Sequence, residues 1–111
     1  MFLNEILPDT GEAFGKLKSS IFEGGELDLK TKELIAIASS VLMRCQFCVE
    51  VHSQRALAQG ANKKEIAEAI AVAMVVAAGS QLNWTNIYGE KIFGDNKSEE
   101  LAKDKGFCCG N

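Results

Sequence analysis

Every residue from Ala69 to Ala78 is apolar. Asn62 followed by Glu65 reads as a capping-box-like helix start ahead of that run. The helix it opens is expected to run from about Lys63 to Ala78, apolar on every side in its second half. A helix apolar all round belongs in an interior. A chain of 111 residues with a handful of helices cannot enclose one completely. Each large side chain left in water forfeits about 1.5–3 kcal/mol, so a second copy of the chain is expected to cover the remainder. Taken alone, the run is too short to cross a bilayer, which needs about 20 apolar residues.

The remaining pattern is helical as well, with no sustained period-two alternation of the kind strands show. Phe14, Leu17 and Ile21 mark one face of a first helix that opens at Pro8-Asp9-Thr10 and ends at Gly24-Gly25. Asp28 is the expected N-cap of a second helix with an apolar stripe of Leu34, Ile37, Ala38 and Val41. That helix falters near Leu42–Arg44. A third pattern begins at Cys45 and stops at Gly60, a residue suited to a left-handed C′ position. Gly79-Ser80 should interrupt the apolar helix, with one more helix carrying Leu82, Ile87, Ile92 and Phe93. The expected architecture is an all-α bundle of about five to six helices. It forms a single domain over 1–111, with its core at about 27–93 and a mobile tail, 94–111, that holds Cys108 and Cys109.

A formal net charge of −3 argues against a nucleic-acid binder, which needs clustered positive charge. No basic and apolar leader is legible, so the expected location is the cytoplasm and no membrane partner is expected. In that compartment four cysteines point to redox chemistry or metal binding rather than structural disulfides.

The chemistry concentrates in Cys45-Gln46-Phe47-Cys48-Val49-Glu50-Val51-His52. At about 100° per residue, Cys45, Cys48 and His52 fall at about 0°, 300° and 340° of one helical wheel, so they share a face. Two thiols one turn apart at a helix start can close a disulfide. The helix N-terminus favours the thiolate. The histidine, the single one in the chain, can hold the proton a thiol gives up. A c-type haem site fails because Val49, not histidine, follows the second cysteine. A thioredoxin fold fails for want of strands and of a proline beside the motif. A zinc site would need Cys108 or Cys109 as fourth ligand, and ligands crowded on one helix are unlike the usual zinc knuckle.

Glu33, twelve residues before Cys45, completes the pattern E-x11-C-x2-C-x3-H. Together with Leu27–Leu34 and with Gln59-Gly60-Ala61 ahead of Lys64-Glu65-Ile66, this resembles the AhpD-like alkylhydroperoxidase members of the carboxymuconolactone decarboxylase family. The resemblance covers about Leu27 to Ala78. It implies a helical bundle of that type and a thiol-dependent peroxidase without cofactor or metal. It also implies a hydroperoxide substrate, a dithiol or protein thiol reductant, and a homo-oligomer, for which a hexamer built as a trimer of dimers is expected. Carried over by position, Cys48 is the thiol that meets peroxide, Cys45 the resolving thiol, and His52 with Glu33 the proton relay. The (i, i+4) spacing of Cys48 and His52 agrees with that order. By spacing alone Glu33 reads as an exposed helix carboxylate paired with a lysine. On an unbroken helix it lies about 120° from Cys45, and it can join the site only if the chain turns between them.

Three function classes remain open at this point. The first is the thiol peroxidase. Within the same enzyme class the alternative is a carboxymuconolactone-decarboxylase-type enzyme, which the cysteine pair disfavours because the decarboxylases of the family lack it. The second class is a metal-binding or redox-sensing module without turnover. The third is a purely structural helical oligomer.

Overall fold

The computed structural model describes residues 1–94; Cys108, Cys109 and the rest of the expected tail lie outside them. Among the described residues all regular structure is helical: α1 (Phe2–Ile6), α2 (Pro8–Phe22), α3 (Leu29–Leu42), α4 (Gln46–Ala58) and α5 (Lys63–Phe93). The chain divides into two compact units, Met1–Ala73 and Met74–Asn111.

In the first unit local chemistry sets the helix limits. Pro8 occupies the first turn of α2, where its missing N–H costs nothing. Gly24 and Gly25, with φ of 72° and 95°, turn the chain out of that helix. Asp28 caps α3 by accepting from the Thr31 N–H at 2.7 Å. That hydrogen bond is the main reason its carboxyl is held below the usual aspartate range. The expected capping box forms in both directions at the start of α5. The Asn62 N–H donates to Glu65 at 3.1 Å and the Glu65 N–H donates to Asn62 at 2.8 Å. Lys30 pairs with Glu65 at 2.9 Å, tying α3 to the first turn of α5.

The main packing is α3 against α4. Ile37, Ala56 and Ala61 form the core, with Leu34, Ile66 and Ile70 packed on it. Ile37 lies on the expected α3 stripe, but the buried side of α3 also holds Glu33 and Ser40. The expected apolar face of α2 is not covered within the chain: Phe14, Leu17 and Ile21 are each more than half exposed.

α5 departs from expectation. Gly79-Ser80 does not break it, and one helix of 31 residues takes the place of two. An interior glycine weakens a helix by about 0.5–1 kcal/mol but does not forbid it, and strong formers flank this one. Continued to Phe93, the helix becomes long and apolar enough to cross a bilayer by length and composition. The core helices of soluble proteins share both properties. The chain's own packing buries little of it: Ala73 is its one buried residue, while Val72, Met74, Val75 and Val76 are more than half exposed. In the second unit Trp84 and Tyr88 sit one turn apart with their rings 5.0 Å apart and tilted by 58°.

Candidate functional site

The site begins with the way α3 ends. Met43 is the C-cap and Arg44 takes a left-handed conformation, φ 55°. The Arg44 N–H donates to the Val41 carbonyl at 3.1 Å and the Cys45 N–H to the Ser40 carbonyl at 3.0 Å. This is the Schellman pattern, which satisfies the last carbonyls of α3 while reversing the chain. The reversal supplies the turn between Glu33 and Cys45 that the sequence required.

Cys45 follows the turn and becomes the N-cap of α4. Its sulfur takes the place of the usual capping oxygen, accepting from the Cys48 N–H at 3.3 Å. Cys45 and Cys48 are joined in a disulfide with S–S 2.09 Å and Cα–Cα 5.2 Å. Both cysteines are half-buried. On reduction, the thiols sit where the α4 N–H groups and dipole stabilise negative charge.

His52 lies one turn beyond Cys48 on α4. Its Nδ1 stands 2.6 Å from Oε2 of Glu33. Glu33 is buried, its side chain only 4% exposed. It is therefore not the exposed, lysine-paired carboxylate that spacing suggested, because packing of α3 on α4 turns it inward. A buried carboxylate needs a partner to offset lost hydration, and here the imidazole provides it. With Nδ1–H donating to Glu33, neutral His52 carries its lone pair on Nε2 and can take a proton there. The structure thus brings Glu33 to His52, and Cys45 to Cys48 on the same helix as His52.

One side chain at the site has no signature in the sequence. Phe22, the last residue of α2, lies parallel to the His52 ring, with centroids 5.8 Å apart and planes within 9°. It sits one position beyond the Phe14–Leu17–Ile21 stripe, and periodicity says nothing of a partner thirty residues away. Among the described residues no three His, Cys, Asp or Glu side chains converge in a group able to hold a metal ion. Chemically, the arrangement is a dithiol–disulfide couple at a helix N-terminus, with a carboxylate-oriented imidazole one turn on.

Comparison with known proteins gives this geometry a context. Residues 8–88 match the carboxymuconolactone decarboxylase family, well beyond the Leu27–Ala78 stretch that carried the resemblance. Uncharacterized protein 4 in the cox locus of Paracoccus denitrificans is 41% identical over 69 residues. The match takes in 62% of this chain and spans 62% of that relative's length. A crystal structure from Methanobacterium thermoautotrophicum is 36% identical, with a TM-score of 0.74, covering 79% of this chain and 98% of that one. A carboxymuconolactone decarboxylase family protein from Thermotoga maritima is 32% identical, with a TM-score of 0.57, covering 80% and 95%.

Proposed function

The chain belongs to the carboxymuconolactone decarboxylase family, and from that premise we propose that it is a thiol peroxidase that reduces hydroperoxides through the Cys45–Cys48 disulfide. The observation that carries this reading is the disulfide at the α4 N-terminus together with the buried Glu33–His52 pair one turn on. The solved relative from Thermotoga maritima has a suggested role in antioxidative response, which agrees with it.

The chemistry balances without a cofactor, since sulfur carries both electrons. His52 accepts the Cys48 thiol proton, and the thiolate attacks the terminal oxygen of ROOH. The O–O bond breaks, Cys48 becomes a sulfenic acid, and the leaving alkoxide takes the proton from His52 to give ROH. The Cys45 thiolate then attacks the Cys48 sulfur, expelling hydroxide that leaves as water, and the disulfide closes. A dithiol reductant attacks Cys45, releases Cys48, and closes its own disulfide as Cys45 departs. The sum is ROOH plus a dithiol giving ROH, water and a disulfide. Glu33 holds the imidazole in the tautomer that leaves Nε2 basic.

In this reading the protein works in the cytoplasm as a homo-oligomer, a hexamer arranged as a trimer of dimers. Val72, Met74, Val75 and Val76, exposed on α5 of a single chain, supply the apolar surface that a second copy would cover. Peroxide consumption assayed with several dithiol reductants, on the wild type and on Cys48→Ser, tests the activity; no turnover with any of them ends it. Sedimentation at micromolar concentration tests the assembly, and a single monomeric species ends that part.

A further inference from the structure

A hydrogen bond at Nδ1 restrains the turn of an imidazole about its Cβ–Cγ bond, but the bond bends over tens of degrees and does not hold χ1, so the ring can still tilt. The Nδ1 contact with Glu33 therefore aims Nε2 coarsely and leaves the tilt of the ring to a second restraint. The second restraint on His52 is the face of Phe22, parallel to it within 9° at a centroid separation of 5.8 Å. That separation is within the range of offset aromatic stacking. An edge held by Glu33 and a face held by Phe22 together define the plane of the ring.

Phe22 is itself held. It is the last residue of α2, where the carbonyls have no partners within the helix. Lys32 reaches back from the first turn of α3 and donates through Nζ to the Ile21 carbonyl at 2.7 Å, and also to the Gly24 carbonyl. An ammonium at a helix C-terminus is favoured by the dipole as well. Lys32 and Glu33 are neighbours in sequence, about 100° apart on α3, so one turn of one helix supplies both restraints on His52. Glu33 acts directly and Lys32 acts through the end of α2. Phe22 also lines an apolar cleft of about 350 Å³ together with Ile21, Leu27, Ile35, Ala36 and Ser39. It is not part of the Ile37–Ala56–Ala61 core, so shortening it leaves the packing of α3 on α4 in place.

We propose that Phe22 is a positioning residue for His52, kept over the imidazole by the Lys32 clamp on the carbonyls that end α2. Its consequence for turnover rests on the peroxidase reading; its consequence for the ring does not.

The single histidine makes the test direct, because one set of imidazole signals reports on one residue. Nitrogen-15 and proton NMR of the wild type should show ring protons moved by the Phe22 ring current and one dominant tautomer with the proton on Nδ1. Phe22→Leu should loosen the ring on its Glu33 hydrogen bond, read as faster solvent exchange of the Nδ1 proton while Nδ1 stays the protonated nitrogen. Phe22→Tyr should restore slow exchange, and Lys32→Met should move it the same way as leucine. Peroxide turnover should fall about tenfold in kcat for Phe22→Leu, as expected for a misaimed base. KM should stay within about twofold, and tyrosine should recover the rate. Exchange rates of the Nδ1 proton as slow in Phe22→Leu as in the wild type overturn the proposal. So does a tyrosine variant that fails to restore slow exchange while circular dichroism shows a native helix content. If the signals respond as described but no form of the protein consumes peroxide, the positioning role stands and the peroxidase reading falls.

Discussion

Two turns in this chain end helices by the same hydrogen bonds and serve different ends. At the end of α3, Arg44 bonds back to Val41 and Cys45 to Ser40; at the end of α4, Gly60 bonds back to Leu57 and Ala61 to Ala56, each at 3.0–3.1 Å. The equivalent positions carry different chemistry. In the second turn the flanking pair is Ala56 and Ala61, both buried in the core. In the first it is Ser40, buried with its hydroxyl donating to Ala36, and Cys45, half-buried and bonded to Cys48. The left-handed residue differs too. Gly60 has φ 90°, outside the range that L residues occupy comfortably, while Arg44 at 55° lies in the small left-handed well they can enter. One backbone motif thus builds core at one end of α4 and chemistry at the other. The turn that builds core requires glycine; the turn that positions the sulfurs accepts a side chain at a modest cost.

The comparison breaks most visibly at the sulfurs. Cys48→Ser should abolish sulfenic acid formation and peroxide turnover, whereas Cys45→Ser should let the sulfenic acid accumulate, as read by dimedone trapping. Labelling of Cys45 in the Cys48→Ser protein would reverse the two roles. Next come the acid–base groups that the first turn brings together. Glu33→Gln and His52→Gln should each lower kcat by about 10²-fold with helix content unchanged, and near wild-type rates in both would remove the relay from the mechanism.

The two turns then separate by stability. Gly60→Ala has room for its Cβ, with nothing within 4 Å, but it meets an unfavourable backbone. It should destabilise by about 1–2 kcal/mol in urea unfolding while leaving the reactivity of the reduced thiols unchanged. Arg44→Gly should do the opposite and stabilise by up to about 1 kcal/mol. Equal costs at both positions would show that the conformational distinction between the turns is false.

The smallest effect lies just past the second turn, at the Asn62–Glu65 box. Lys30 beside Glu65, with the Asn62 N–H second, holds that carboxyl below the usual glutamate range, and Glu65 raises Lys30 above its own. A carboxyl lowered on folding stabilises above its unfolded value, and that contribution is lost as pH falls through the lowered one. The lysine contribution is present below its unfolded value and lost only at strongly alkaline pH. Glu65→Gln should therefore lower Tm slightly in the neutral region, where the contribution is present, and converge with the wild type in acid, so that the acid limb of its Tm–pH curve is flatter. An unaltered acid limb would remove this pair from the stability of the turn.

Much of this was legible along the chain because it is local. The Asp28 cap, the Asn62–Glu65 box, the Gly60 stop and the break at Leu42–Arg44 are each decided by residues within one helical turn of one another. Cys48 and His52 fall one turn apart on α4 by arithmetic alone, but Cys45 does not share that wheel: it is the extended N-cap, outside the helix, and meets Cys48 through the disulfide. Gly79 misled because its effect is also local but too weak: about 1 kcal/mol does not end a helix whose neighbours on both sides favour continuing.

What sequence by itself determined, then, is the set of helices with local stop and start signals and the placing of the cysteine pair at the start of one of them. Spacing left Glu33 exposed and the family resemblance paired it with His52, nineteen residues away along the chain; tertiary structure decided that it is buried there. It alone placed Phe22 over the same ring and turned Lys32 back onto the end of α2. The reason is physical: a helical wheel fixes directions within one helix. The angle at which α3 meets α4 after the Arg44 turn, and the path of α2 into α3, depend on how the helices pack, a property of several segments at once.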